Sequence, residues 1–203
     1  ESILNWKKNA HCKFTSSKLC TTIGGFECPL LTLESSDSPV PISKRFCIFL
    51  TARIHPGESN GSYVIHGVID FLTSSHPAAK TLLESNIFKI VPMVNIDGVV
   101  EGYYRAGIGG TDLNRVWVDP DPSLHPAVFA IKELITNIQK ERKISAYVDF
   151  HGHSRLHGTF AYGCPNDNNN DNNTDFDFLL SDNYIDNDNN LNSNSLSNDE
   201  NND

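Results

Sequence analysis

Apolar residues along this chain come in two alternating spacings. The segments GFECPLLTLES (25–35) and RFCIFLTARI (45–54) predict strands, the second almost continuously apolar, as in a sheet covered on both faces. After HPGESNG the rhythm changes, and Val64, Ile65, Val68, Ile69 and Leu72 fall at helical spacing within 63–72. NIFKIVPMV (86–94) predicts another buried strand, and a glycine-rich loop follows from Asn95 to about Pro122. A second helix is expected next, with Ser123 as its cap and Pro126 in its first turn. Its apolar stripe is Val128, Ile131, Leu134, Ile135 and Ile138, with Lys140, Arg142 and Lys143 near its negative end. ISAYVDF (144–150) predicts a strand running straight into HGHSRLHG, and TFAYGC (159–164) one more short strand. Such alternation predicts an α/β fold over residues 1–164, a mixed, mostly parallel sheet with helices on both faces. Ligands gather outside the carboxyl ends of the strands in sheets of this kind, and His55 and His151 both fall at such ends.

Residues 165–203 break the pattern. Asn and Asp dominate there, apolar residues are few, and the segment is expected to be disordered because it cannot offset its own ordering entropy. It also explains the charge. The formal net charge is −9, but 165–203 carries ten acidic residues and no Lys or Arg. Residues 1–164 hold 15 acids against 16 bases and show no basic stripe of the kind nucleic-acid binding needs. No apolar run approaches the roughly 18 residues of a membrane span. The five cysteines (12, 20, 28, 47 and 164) are odd in number and lack a C-x-x-C pair, which fits reduced thiols in an intracellular protein. The chain opens on Glu1 with no methionine before Met93, which reads as a fragment or a processed product.

The candidate chemistry begins at TARIHPGES (51–59). Pro56 and Gly57 prevent an ordinary helical turn, so a tight strand-to-helix turn can fold His55 and Glu58 toward one point. An imidazole nitrogen and a carboxylate oxygen suit zinc, with a third ligand expected from elsewhere. Taken alone, the pair reads better as a turn histidine beside a helix-capping glutamate. His151, at the end of an apolar strand, is placed to be the third ligand, although His153 and His157 compete with it. Between these points lie Arg105, Asn114 and Arg115 in a glycine-rich segment, a plausible carboxylate-binding group against the plainer reading of surface charges and a turn former. His11, His66, His76 and His125 read as ordinary surface or helix residues, and Asn95, Asp97 and Gly98 as a structural turn.

The order H-x-x-E, N-x-D-G, an arginine, D-x-N-R and a strand-ending histidine resembles the zinc metallocarboxypeptidase family, nearest its cytosolic carboxypeptidase branch. The likeness rests on TARIHPGES, FKIVPMVNIDGV, GYYR, TDLNRVW, DFHGHSR and YGC, and covers roughly residues 20–164. It implies a carboxypeptidase-like fold in which His55, Glu58 and His151 bind one catalytic Zn2+. It implies further that Asp112 accepts a hydrogen bond from the His55 ring, and that Arg105 faces the negative charge developing on the scissile carbonyl. Asn114 and Arg115 would hold the terminal carboxylate, and a zinc-activated water would attack the last peptide bond. The implied substrates are protein or peptide C-terminal tails losing acidic residues, mainly glutamate, with tubulin among them, in the cytoplasm and at the cytoskeleton. The family often has proline where Ile96 stands. Its general base, a glutamate on a later strand, has no counterpart here: Glu200 is the only glutamate after Glu141, so the catalytic domain is expected to be incomplete and inactive by itself. Two other readings stay open: a zinc deacylase of the aspartoacylase type, and a non-catalytic module that binds zinc and C-terminal tails.

Overall fold

In the computed structural model residues 2–163 are described; the segment 165–203 and its expected disorder lie outside them. The elements run α1 (Ser2–Asn9), β1 (Lys13–Thr21), β2 (Glu27–Glu34), β3 (Phe46–Ala52), α2 (Asn60–Thr73), α3 (Pro77–Ser85), β4 (Asn86–Val91), α4 (Ile96–Val100), α5 (Pro126–Glu141) and β5 (Ile144–Phe150). Short 3-10 turns occupy Ile42–Lys44 and Leu113–Arg115. One sheet takes the order β1-β2-β4-β3-β5. It is mixed: β3 pairs in parallel with β4 and β5, while β2 pairs antiparallel with β1 and β4.

The period-2 alternation of a strand sorts the core into two layers. Cys47 and Phe49 of β3, with Cys28 and Leu30 of β2, meet Val128, Ile131, Ile135 and Ile138 of α5 on one face. Leu50 and Ala52, with Leu31 and Leu33, meet Trp6 of α1, Ile65, Ile69 and Leu72 of α2, and Leu83 of α3 on the other. Helices therefore cover both faces, which is why β3 reads as a nearly unbroken apolar run.

Two expectations need correction. Ser123 does not cap α5; His125 precedes it, and Pro126 starts it. Proline's missing N–H and fixed φ suit the first helical position, so the boundary falls at Pro126. The Ser123 N–H instead donates to Asp121 Oδ1 in the preceding turn, at 2.7 Å. Residues 159–163 form no strand, and Cys164 lies outside the described residues.

Gly67 stands in the interior of α2 with nothing within 4 Å of an added Cβ and no positive φ. Gly67→Ala is therefore expected to stabilise the chain by about 0.5–1 kcal/mol, because glycine loses more backbone freedom in a helix than alanine. Denaturant unfolding of the two proteins side by side measures it; a destabilised variant would contradict the open surroundings of this position.

Candidate metal centre

β3 ends at Ala52 and the chain turns sharply before α2, carrying His55 and Glu58 on the turn. Close packing sets the turn's shape. A Cβ on Gly57 would lie 2.4 Å from Tyr104 Cδ2, and one on Gly98 would lie 2.4 Å from Pro56 Cγ. The Gly57 N–H donates to the Tyr104 carbonyl at 2.7 Å. Asn95, in the turn read as structural, donates to the Ile54 carbonyl at 3.2 Å and steadies the residue before His55.

β5 lies beside β3 in parallel register, Thr51 opposite Asp149 and Ala52 opposite Phe150, so His151 emerges next to the 55–58 turn. Both histidines aim one ring nitrogen at Glu58: His55 Nδ1 lies 2.9 Å from Oε1, and His151 Nδ1 lies 3.0 Å from Oε2. The other ring nitrogens each meet an aspartate, His55 Nε2 with Asp112 Oδ1 at 3.1 Å and His151 Nε2 with Asp149 Oδ2 at 2.7 Å. One donor atom from each of His55, Glu58 and His151 lies within 4.8 Å of the others. The donor set suits zinc, and carboxylates on the outer nitrogens are the arrangement that fixes tautomer and ring direction in zinc sites. The residues present fit the ion.

Electrostatics binds the three together even without a cation. Burial works against ionised Glu58, but hydrogen bonds from His151, His55 and the Gly152 N–H outweigh it and hold its carboxyl well below the usual range. Burial likewise opposes the charged His151, yet its bonds to Asp149 and Glu58 push the ring up to about 10. His151 would have to give up that proton to serve as a neutral ligand, so zinc held by His55, Glu58 and His151 would bind in competition with it.

His153 and His157 do not join the group. His153 Nδ1 accepts from the N–H groups of Arg155 and Leu156 at 3.2 and 2.9 Å, a local turn contact. His76 caps α3 by accepting from the Ala78 N–H, and His66 pairs with Asp70 on α2. Asp149 is the residue that sequence reasoning missed. It lies two positions before His151, hence on the same side of an extended segment, and that spacing was the available signal. Its Oδ1 accepts from Thr51 Oγ1 at 2.8 Å, which fastens it to a fully buried residue of β3.

The loop residues gather at the same end of the sheet. Arg105 Nε donates to Asp112 Oδ2 at 2.7 Å, and the Asn114 N–H donates to Asp112 Oδ1 at 2.8 Å. Burial raises the Asp112 carboxyl, but the Asn114 N–H, His55 and Arg105 together lower it below its ordinary value. In the 113–115 turn Leu113 is buried and Arg115 exposed, so the arginine lies on the solvent side. Trp117 Nε1 donates to Asn114 Oδ1 at 2.9 Å, which engages the amide oxygen and leaves the NH2 group as the end able to donate to an anion.

Comparison with known proteins agrees with this geometry. The family model described as zinc carboxypeptidase matches residues 13–202. Cytosolic carboxypeptidase 1 of Gallus gallus is 42% identical over 158 residues, covering 74% of this chain and 13% of that protein. Cytosolic carboxypeptidase 4 of Homo sapiens is 42% identical over 158 residues, covering 74% of this chain and 14% of its own length. The chain thus spans a small part of the length of these curated relatives. Among solved structures, a metallo-carboxypeptidase from Burkholderia cenocepacia superposes with a TM-score of 0.66 at 29% identity, over 75% of this chain and 39% of that one. With the family model matching most of its length and the same fold in a solved metallo-carboxypeptidase, this chain belongs to the zinc carboxypeptidase family.

Proposed function

We propose that the polypeptide carrying this sequence is a zinc-dependent metallocarboxypeptidase that removes residues from the C-terminal tails of proteins or peptides. The observation that carries the reading is the convergence of His55, Glu58 and His151, each histidine braced by an aspartate, at the sheet end where Arg105, Asn114 and Arg115 lie. When bound, zinc supplies a Lewis acid for the scissile carbonyl and lowers the pKa of a water. His55, Glu58 and His151 hold it, and Asp112 and Asp149 keep the rings in place. Asn114 and Arg115 bind the terminal carboxylate, since a guanidinium fork matches a carboxylate in two hydrogen bonds. That clamp confines the action to chain ends. Arg105, anchored through Nε to Asp112, keeps its remaining donors for negative charge that develops on the carbonyl oxygen. Acidic terminal residues, glutamate above all and tubulin tails among the carriers, are the substrate class that the family resemblance supplies. The curated relatives are named cytosolic, which supports a cytoplasmic setting. Among the described residues no helix is long and apolar enough to cross a membrane.

The clamp is tested with Arg115→Ala in the native polypeptide and paired peptides differing only in a free or amidated C-terminus. Loss of a hydrogen-bonded ion pair is expected to weaken binding of the free-carboxylate peptide about tenfold or more, with the amidated one unchanged. Equal weakening of both peptides would remove Arg115 from the proposed role.

A further inference from the structure

Among the described residues Arg53 is the one non-glycine in the left-handed backbone region, at φ 57°. It stands between the end of β3 and the turn that carries His55 and Glu58. In that conformation Cβ crowds the following carbonyl, so glycine is the ordinary occupant, with asparagine or aspartate next. Backbone preference therefore does not account for arginine here. Its side chain does something that glycine cannot. Arg53 Nε and Nη2 both donate to the Pro56 carbonyl, at 3.1 and 2.6 Å, and Nη1 donates to Ser62 Oγ at 2.7 Å. Pro56 lies between the two ligand residues, and Ser62 lies in the first turn of α2. The backbone is fastened as well, since the Asn95 N–H donates to the Arg53 carbonyl at 3.0 Å. One guanidinium thus ties the middle of the turn to the helix that follows it, from a residue fixed to the strand that precedes it.

We propose that Arg53 is a positioning residue of the metal centre, whose fork on Pro56 and Ser62 holds the 55–58 turn in the shape that aims His55 and Glu58 at one point. Strained residues persist where the surrounding structure over-determines them, and they cluster at functional sites. The consequence for metal binding rests on the zinc reading above; the hold on the turn does not.

Two variants separate backbone from side chain. Arg53→Gly relieves the strain and removes the fork, whereas Arg53→Lys keeps the strain and the charge but cannot span both acceptors. Zinc affinity of the whole chain is read by competition with a chromogenic chelator, and amide exchange of the metal-free chain is read at Gly57, Gly61 and Ser62. Both variants are expected to lose at least about tenfold in zinc affinity, as for groups that orient metal ligands elsewhere. Exchange at those three amides should quicken in both, with β4 and α5 unchanged. Guanidinium ion at low millimolar concentration should partly restore zinc affinity to Arg53→Gly, which a merely destabilised fold would not allow. Wild-type affinity and exchange in both variants would overturn the proposal. A wild-type chain that takes up no zinc would overturn the metal reading instead, and the exchange rates would still decide whether Arg53 holds the turn.

Discussion

Replacing His55 with alanine is expected to abolish zinc retention by the chain, an affinity loss greater than about 100-fold. Removing groups that merely orient a ligand already costs about 10- to 100-fold, and His55 is placed as a ligand itself. The residue is 4% exposed, and its ring lies between Glu58 and Asp112. Without it, Glu58 and His151 are the two ligands left, and Asp149 together with Glu58 holds the His151 imidazole charged. The metal would then have to displace that proton with one histidine fewer. The fold should survive, because Asp112 keeps Arg105 and the Asn114 N–H as partners. The check is zinc content after dialysis, alongside melting with chelator and with zinc. A ligand that binds only the folded state raises its stability, so zinc should raise the midpoint of the wild type and leave that of the variant where it was. His153→Ala, which loses a turn contact and an edge-on ring contact with Phe160 but no ligand, should retain zinc within about twofold, well inside what orienting groups cost. Stoichiometric zinc in His55→Ala would show that the site is wrongly assigned.

How much of this could be read beforehand follows the strength of each local signal. β3, β4 and β5 are apolar runs, and α2 and α5 carry long stripes, so all five were legible. β1 was not, because KFTSSKLCT is an edge strand whose positions are mostly exposed and polar. α3 buries only Ala79 and Leu83, too little for a helical period to show. The three candidate ligands were legible as motifs at strand ends, but their meeting depends on β5 pairing with β3 rather than another strand, which local sequence does not state. The choice of His151 over His153 follows from that register. Asp149 escaped notice because its one signal, the two-residue spacing from His151, gains meaning only when β5 lies beside β3 and Thr51 and His151 become its partners. Arg53 escaped for a different reason: neither its positive φ nor its reach to Pro56 has a sequence signature.

Gly152→Ala is the second substitution expected to have a large effect, and here the reason is space. An added Cβ would lie 2.6 Å from Asn60 Oδ1 and 3.2 and 3.3 Å from Glu58 Cγ and Cβ. Asn60 cannot simply swing aside without losing its bond to the His151 carbonyl, at 2.9 Å. Glu58 can yield a few tenths of an ångström only by drawing its carboxylate away from the Gly152 N–H and the two imidazoles. The methyl group therefore acts on a candidate ligand itself, and zinc affinity should fall by about 100-fold, the upper end of the range for groups that orient ligands. Overpacking of this kind costs typically about 1–3 kcal/mol, so the metal-free variant should also melt earlier. Adding Asn60→Ala removes the nearest clash while leaving the Glu58 contact. If the double variant regains stability but not zinc, the crowding of Glu58 is what disturbs the site. If both return, the clash with Asn60 was the cause and the Glu58 contact is soft. Unchanged zinc affinity in Gly152→Ala alone would mean that the segment after β5 shifts freely, and that the close approach of Gly152 to Glu58 does not set the geometry of the centre.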